Sequence, residues 1–142
     1  MLPRSLVSLA LLCAVGCLSG CSEEQQNAVR QRRDNLDKIG QAYAEMYKTG
    51  ASPKNSGELA TWMAESADAG TRGAARDSLV EGDVVVNWNG DLSAIETLGS
   101  FVLAFEAGTL ARGGYVVMAD GKVKNMKLKE FQEAAMLPAI KQ

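Results

Sequence analysis

Residues 113–126 read GGYVVMADGKVKNM and contain the pattern that decides the fold. Two runs of β-forming residues, 115–119 and 122–126, flank the dipeptide Asp120-Gly121. Asp-Gly between such runs indicates a β-hairpin with a two-residue type I′ turn, because glycine accepts the positive φ angle that most residues resist. Lysines alternate with uncharged residues in the second run, which is typical of a half-exposed edge strand. We therefore predict an antiparallel hairpin with Asp120 and Gly121 as its turn.

Two further strand-like runs precede the hairpin, VVVNW at 84–88 and FVLAF at 101–105. The second run is continuously apolar and suits a central position in a sheet. Upstream of residue 82 the spacing is helical instead. Helices followed by strands predict the α+β class, here with a three- to four-stranded antiparallel sheet and short helices between and after the strands.

The first helix is predicted from apolar residues that recur at steps of three, four and seven, which places them on one face. These residues are Val29, Leu36, Ile39, Tyr43 and Met46. We expect this face to pack on the chain's own core and the helix to end near residue 48, before Gly50 and Pro53. A coiled-coil seam for a partner is the alternative, but the stripe is shorter than the roughly three heptads that such a seam needs.

Shorter elements are predicted on either side of the sheet. Asn55 resembles the N-cap of a second helix, with Glu58 reaching back from the third helical position. Residues 68–76 are small and polar with no clear period, so we expect a loop there. Leu128, Phe131 and Ala135 suggest a short final helix.

The N-terminal residues have the pattern of a secretory signal peptide: Arg4, then an uncharged apolar stretch over 5–18, then small residues. As a helix this stretch would reach about 21 Å against a hydrocarbon core of about 30 Å, which is too short to span a membrane comfortably. We therefore expect the segment to be removed.

The end of this segment, Leu18-Ser19-Gly20-Cys21, resembles the lipobox of bacterial lipoproteins. The resemblance implies that 1–20 is removed and that Cys21 becomes the first mature residue, carrying acyl chains such as palmitate. Ordinary secretory cleavage with a free thiol is the alternative. The polar segment 21–27 is then a tether or the start of the helix, and 28–142 is a single α+β domain.

The resemblance also implies a location. A lipidated Cys21 would hold the protein on the periplasmic side of a membrane, since more than one acyl chain anchors firmly. Ser22 after the cysteine, rather than aspartate, resembles the choice that favours the outer membrane over the inner one.

Composition excludes several classes of function. The 142 residues contain no histidine, which removes Ser-His-Asp and Cys-His catalysis and histidine-ligated zinc. The three cysteines include Cys13 and Cys17 in the leader, so the mature chain is expected to have no disulfide. A net charge of −2 gives no basis for binding nucleic acid.

One segment could hold a small ligand or calcium. In 87–96 (NWNGDLSAIE), Asn87, Asn89 and Glu96 match ligand positions of an EF-hand loop, but Val85 stands where the leading carboxylate belongs. We treat these three residues as weak candidates only and expect no metal and no cofactor.

A carboxylate-dependent hydrolase is a third class of function. It would need Glu96, Glu106 and Asp120 to converge. The motifs of serine nucleophiles and of phosphate-binding loops do not occur in the sequence, so we expect no enzyme. Aromatic residues could instead line a ligand groove, but core packing is the simpler use for Tyr43 and Trp62.

Three segments in order resemble pseudopilin-like proteins of planctomycetes: 33–42 (RDNLDKIGQA), 101–106 (FVLAFE) and 113–123 (GGYVVMADGKV). The resemblance implies a pilin-like head, in which an N-terminal helix packs on an antiparallel sheet that ends in an Asp-Gly hairpin. A lipobox replaces the family's long apolar helix, and Leu110 stands where some relatives have a histidine. We therefore predict a lipid-anchored envelope protein with a structural or protein-interaction role, near secretion or pilus-like machinery and with an envelope protein as its partner.

Overall fold

The computed structural model describes residues 20–88, 90–93 and 98–137. The chain divides into two compact units, Met1–Gln31 and Arg32–Gln142, and each is described by itself. In the first unit, residues 20–31 are helical, and from residue 22 onward all side chains except the half-buried Val29 are exposed. None of the helices in the described ranges is long and apolar enough to cross a membrane.

The fold is α+β, as predicted, with a long first helix followed by an antiparallel sheet. The helices are α1 (Gly20–Lys48), α2 (Ser56–Glu65), α3 (Gly73–Glu81), α4 (Thr109–Arg112) and α5 (Leu128–Glu133). The strands are β1 (Val84–Val86), β2 (Phe101–Glu106), β3 (Gly113–Met118), β4 (Val123–Lys127) and β5 (Ala135–Met136). Helix α1 includes the polar segment 21–27.

The sheet has the order β1-β2-β3-β4, with every neighbouring pair antiparallel. The apolar strand β2 is central, and the lysine-containing strand β4 lies at one end. The two-residue strand β5 pairs in parallel with the start of β2, at Phe101 and Val102. Because β1 pairs with the other end of β2, at Ala104–Glu106, two short strands share one edge of β2.

A β-bulge in β2 lets this strand serve both faces of the sheet. The register with β3 shifts between Val102 and Ala104, so Leu103 is the extra residue. Leu103 and Ala104 therefore both join the core on one face, whereas Val102 and Phe105 join the cluster on the other. This explains why four consecutive residues of β2 are buried.

The main core lies between the sheet and the first three helices, and its buried members from those helices include Leu36, Ile39, Tyr43, Leu59, Met63, Ala75 and Leu79. Helix α1 approaches the sheet closely at Gly40, where an added Cβ atom would lie 2.6 Å from a methyl group of Val117. Glycine at this position thus sets the separation of helix and sheet. Four members of the predicted apolar stripe of α1 pack in this core: Leu36, Ile39, Tyr43 and the partly buried Met46.

A smaller cluster covers the opposite face of the sheet. It consists of Val102, Phe105, Val116, Met118 and Phe131. The ring centroids of Phe105 and Phe131 are 4.9 Å apart at an interplanar angle of 61°, which is a favourable edge-to-face contact. Helix α5 therefore closes this face with one aromatic side chain.

The second helix begins as predicted. The Glu58 N–H donates to Asn55 Oδ1 at 2.9 Å, so Asn55 caps α2. Glu58 Oε2 accepts from the Lys54 N–H at 2.9 Å rather than from the Asn55 backbone N–H, so the reciprocal bond is made one residue earlier than expected.

The prediction of a loop over 68–76 was wrong for 73–76, because helix α3 begins at Gly73, whereas 68–72 form a turn and a short 3-10 helix. Its buried residues Ala75 and Leu79 are four apart and face the main core. The helix ends at Gly82, whose φ of 85° closes the last turn through a bond from its N–H to the Ser78 carbonyl. Packing of this short apolar stripe stabilises a helix that local composition does not indicate.

Candidate functional site

The connection between β3 and β4 contains Asp120 and Gly121, the residues predicted to turn the chain. The Gly121 N–H and the Met118 carbonyl are 2.9 Å apart, and the Met118 N–H donates to the Lys122 carbonyl at 2.9 Å. Three residues therefore lie within the turn, one more than the predicted type I′ turn contains. Gly121 has φ of 83° at the fourth turn position, typical of a type I turn followed by a glycine bulge.

The turn is longer because Ala119 belongs to the sheet. Its side chain is buried, and its N–H donates to the Phe101 carbonyl of β2 at 2.8 Å. This bond fixes Ala119 beside β2, so the chain reverses one residue later than the dipeptide signal indicates.

The carboxylate of Asp120 is held by its own turn. Oδ1 accepts from the Lys122 N–H at 3.1 Å, and Oδ2 lies 3.2 Å from Lys122 Nζ. An added Cβ atom at Gly99 would come within 2.9 Å of Oδ2, so the backbone approaches the carboxylate closely. The Lys124 ammonium donates to the Gly99 carbonyl at 3.3 Å and brings a second cation to this side.

These contacts lower the pKa of Asp120 below its ordinary value of 3.8. Partial burial acts in the opposite direction, but it is outweighed by the hydrogen bonds from Lys122 and by the charges of Lys122 and Lys124. The carboxylate is therefore ionised at neutral pH and suited to fixing the turn rather than to donating a proton.

An open groove of about 570 Å³ lies beside the turn. Its lining residues are Arg33, Asp34 and Asp37 of α1 with Gly121, Lys122 and Val123. Opposite charges are mixed along its wall, and Asp37 already accepts a hydrogen bond from Gln41 at 2.9 Å. The groove therefore has no strong preference for an anion or a cation.

The strand that leaves the turn carries most of the local positive charge. Lys122, Lys124 and Lys127 of this strand region and Lys129 of α5 are exposed, and no acidic residue lies between them. We call the outer side of β4 with these four lysines the lysine edge. It contrasts with the net charge of −2 of the whole chain.

The calcium candidates are occupied by structural contacts where the structure describes them. Asn87 Nδ2 donates to the Val102 carbonyl at 2.8 Å, which ties the end of β1 to β2. The Gly90 N–H donates to the Tyr43 hydroxyl at 2.9 Å. Asn89 and Glu96 lie outside the described residues. Over the described ranges, no group of three or more acidic or cysteine side chains is arranged to hold a metal ion.

Asp91 continues this pattern. Its Oδ1 accepts from the Tyr47 hydroxyl at 2.9 Å and from the Ser93 hydroxyl at 2.7 Å. Tyr43 and Tyr47 thus fasten the segment 90–93 to α1, and Tyr43 is a core residue rather than the lining of a groove.

The convergence of carboxylates that a hydrolase would need does not occur for the two that are described. Glu106 ends β2, where its Oε2 accepts from the Tyr115 N–H at 3.2 Å and its Oε1 lies 3.5 Å from Arg32 Nε. Asp120 lies beside Gly99, at the opposite end of β2. The length of this strand, about 17 Å for six residues, separates them.

A buried arginine was missed by sequence reasoning. Arg72, only 3% exposed, places its Nη2 atom 2.9 Å from Glu45 Oε2 and 3.6 Å from Asp68 Oδ2. Its Nη1 donates to Ser66 Oγ at 3.3 Å, and its guanidinium lies 5.5 Å from the centre of the Trp62 ring. The cluster joins α1 to the connection between α2 and α3, a structural role. No local signal reveals it, because Glu45 is 27 residues away.

Cys21, the predicted lipidation site, lies in the first turn of α1, and nothing is described of its side chain. No protein-family model, curated protein or solved structure matches the chain.

Proposed function

We propose that the protein is a lipid-anchored component of the bacterial cell envelope, with a structural or protein-interaction role and no catalytic activity. The observation that carries this proposal is Leu18-Ser19-Gly20-Cys21 directly after a charged start and a short apolar stretch. The anchor is lipid attached to Cys21, on the periplasmic side, with the outer membrane favoured by Ser22.

The head is proposed to be pilin-like. The α+β architecture supports this, because a long first helix packs on an antiparallel sheet. The three segments that resemble planctomycetal pseudopilin-like proteins fall on α1, β2 and the β3-β4 connection. The proposed place of action is beside secretion or pilus-like machinery, without incorporation into a filament.

A non-enzymatic role is supported by how the described polar groups are used. Asp120 fixes a turn, Glu106 pairs with Arg32 at the end of β2, and Arg72 joins helices. Each of these charged groups has a contact that explains its position, so none requires a substrate.

Replacement of Cys21 tests the anchor. In cells that produce the full chain, Cys21→Ser should move the protein from the membrane fraction to the soluble fraction, whereas Cys17→Ser in the leader is the matched control and should not. Intact mass spectrometry of the membrane form should show acyl chains on an N-terminal Cys21. Continued membrane attachment of Cys21→Ser, or an unmodified thiol, would contradict the proposal.

Two further measurements separate the interaction role from its alternatives. Capture of the tagged protein from envelope membranes should bring down the same secretion or pilus-like components in repeated preparations, and a protein recovered alone would count against this role. Calorimetric titration with calcium should give no saturable heat at micromolar concentrations. A saturable signal lost in Asn87→Ala would favour the ligand-binding alternative at 87–96.

A further inference from the structure

The hydrogen-bond pattern between β3 and β4 determines which backbone N–H and C=O groups of β4 point away from β3. The Met118 N–H donates to the Lys122 carbonyl, so this pair is hydrogen-bonded toward β3. In an antiparallel ladder, bonded and non-bonded pairs alternate along each strand. Lys122, Lys124 and Met126 are therefore the residues of this strand region that bond to β3. Val123 and Asn125 lie between them and direct their N–H and C=O groups away from β3. Within the sheet as described, β4 has β3 as its single neighbour.

This edge is short because α5 closes one end of it. Lys127 is the next residue in the outward series, but its N–H donates to Glu130 Oε2 at 2.8 Å. Val123 and Asn125 thus remain, and each presents one donor and one acceptor. Such an edge can add a short strand but is too short to support a long one.

Charge decides what kind of strand fits. Lys122 already pairs with Asp120 and Lys129 with Glu133, at 3.2 and 4.0 Å. Lys124 and Lys127 are exposed and have no ion pair among the described residues, so their charges are available to a partner. A second copy of this strand would place lysines near lysines, and like charges across a strand pair destabilise it. A strand that carries carboxylates would instead form favourable cross-strand pairs.

We propose that the lysine edge binds an extended acidic segment of a partner protein as an added β-strand. This rests on the proposed interaction role and names the chemistry of the partner. Lys124 and Met126 share one face of β4, because alternate residues of a strand do. The segment therefore has an acidic residue opposite Lys124 and an apolar residue two positions away, opposite Met126. Backbone hydrogen bonds to Val123 and Asn125 hold it in register.

A synthetic peptide tests this binding. The probe is a fluorescent peptide of about 10 residues with the central sequence Val-Val-Glu-Val-Glu, which in an antiparallel pairing places valine opposite Met126 and glutamates opposite Lys124 and Lys122. The protein is the full chain with Cys21→Ser. Fluorescence anisotropy at low ionic strength should show saturable binding. Hydrogen exchange should show new protection of the Val123 and Asn125 amides in the complex, because these donors become bonded.

Two control peptides separate strand addition from charge attraction. The same peptide with N-methylated valines keeps its charge but loses backbone donors, so it should not bind. A peptide in which lysine replaces glutamate should not bind either. Equal binding of the N-methylated peptide would overturn the proposal.

Variants of the edge complete the test. The double substitution Lys122→Glu with Lys124→Glu should weaken peptide binding about tenfold. The matched pair Lys48→Glu with Lys54→Glu, exposed lysines on another part of the head, should leave it unchanged. Asn125→Pro removes one outward donor and should abolish binding in a protein whose circular dichroism is unchanged. If this variant fails to fold, hydrogen exchange of the Asn125 amide in the protein without edge substitutions is the test, and the absence of new protection on peptide binding would reject the inference.

Other outcomes would also reject the inference. Equal weakening by both lysine pairs would show non-specific charge attraction. Tighter binding to phosphatidylglycerol vesicles than to the peptide, through the same lysines, would identify a membrane surface instead. If mass spectrometry finds acyl chains on Cys21 but the peptide does not bind, only this inference is rejected. If Cys21 is unmodified but the peptide binds, the proposed anchor is rejected and this inference is retained.

Discussion

The two faces of the sheet are covered very differently. Three helices and the sheet enclose the main core on one face, whereas α5, a helix of six residues, closes the other face with Phe131. The bulge at Leu103 lets the central strand contribute buried side chains to both. We therefore expect the face toward α1 to contribute more to stability than the opposite face, where a smaller cluster is closed by the contact between Phe105 and Phe131.

The largest expected effect is on the main core. Leu36→Ala should lower the free energy of unfolding by about 4 kcal/mol, because Leu36 is fully buried and its loss leaves a cavity between helix and sheet. Urea denaturation followed by circular dichroism measures this. Leu110→Ala is the matched control, since Leu110 is 61% exposed, and it should change stability by less than about 0.5 kcal/mol.

Substitution on the opposite face should lower the free energy of unfolding by less than substitution in the main core. Phe131→Ala should lower the free energy of unfolding by about 3 kcal/mol, the lower end for a buried phenylalanine, because a terminal helix can collapse toward the gap. Hydrogen exchange should rise first in α5, with α1 still protected. Gln132→Ala, an exposed position of the same helix, is the control. A larger loss than for Leu36→Ala would reverse the ranking of the two faces.

The Arg72 cluster, on the side of the main core, is expected to contribute less to stability than either apolar cluster. Arg72→Met keeps much of the apolar stem but removes the charge, and it should cost about 1 kcal/mol. The cost is modest because Glu45 and Asp68, at 44% and 66% side-chain exposure, regain water. Thermal unfolding with Arg76→Met as the control checks this. Equal stability of the two variants would show that the Arg72 contacts contribute nothing net.

The smallest expected effect is at the turn. Since the pKa of Asp120 is lower in the folded chain than its ordinary value, its contribution to stability is fully present above about pH 4 and is lost as the pH falls through the folded value. Asp120→Asn should cost about 0.3 kcal/mol at neutral pH and flatten this part of the pH profile. Urea denaturation between pH 2 and pH 7 measures it. Asp77→Asn is the exposed control, and an identical profile for both variants would contradict the role of Asp120.

Much of the fold could be predicted from sequence because the signals are local. Runs of β-forming residues on either side of Asp120-Gly121 marked β3 and β4, alternating lysines marked β4 as an edge, and the continuous apolar run marked β2 as central. The spacing of Leu36, Ile39 and Tyr43 marked the buried face of α1. Each pattern reflects the period of one element, 2 for a strand and about 3.6 for a helix.

Features that depend on distant partners could not be predicted. Helix α3 has small residues and is stabilised by packing of Ala75 and Leu79, and β5 forms because β2 lies beside Ala135 and Met136. Sequence alone also did not reveal the Arg72 cluster. At the candidate site the same division holds: Asp120 and Gly121 could be placed in the turn, but the extra residue depends on the bond from Ala119 to β2.

The close approach of α1 to β3 at Gly40 has a consequence for how the head assembles. The helix has one notch that admits the Val117 methyl groups, and rotating or sliding α1 by one residue would bring Ile39 or Gln41 to that spot, where neither side chain fits. Gly40 therefore allows α1 to pack on the sheet in one orientation and excludes the orientations that are shifted by one residue. An added methyl group would remove this preference. We therefore expect Gly40→Ala to give a folded head in which α1 packs in more than one orientation, rather than an unfolded protein.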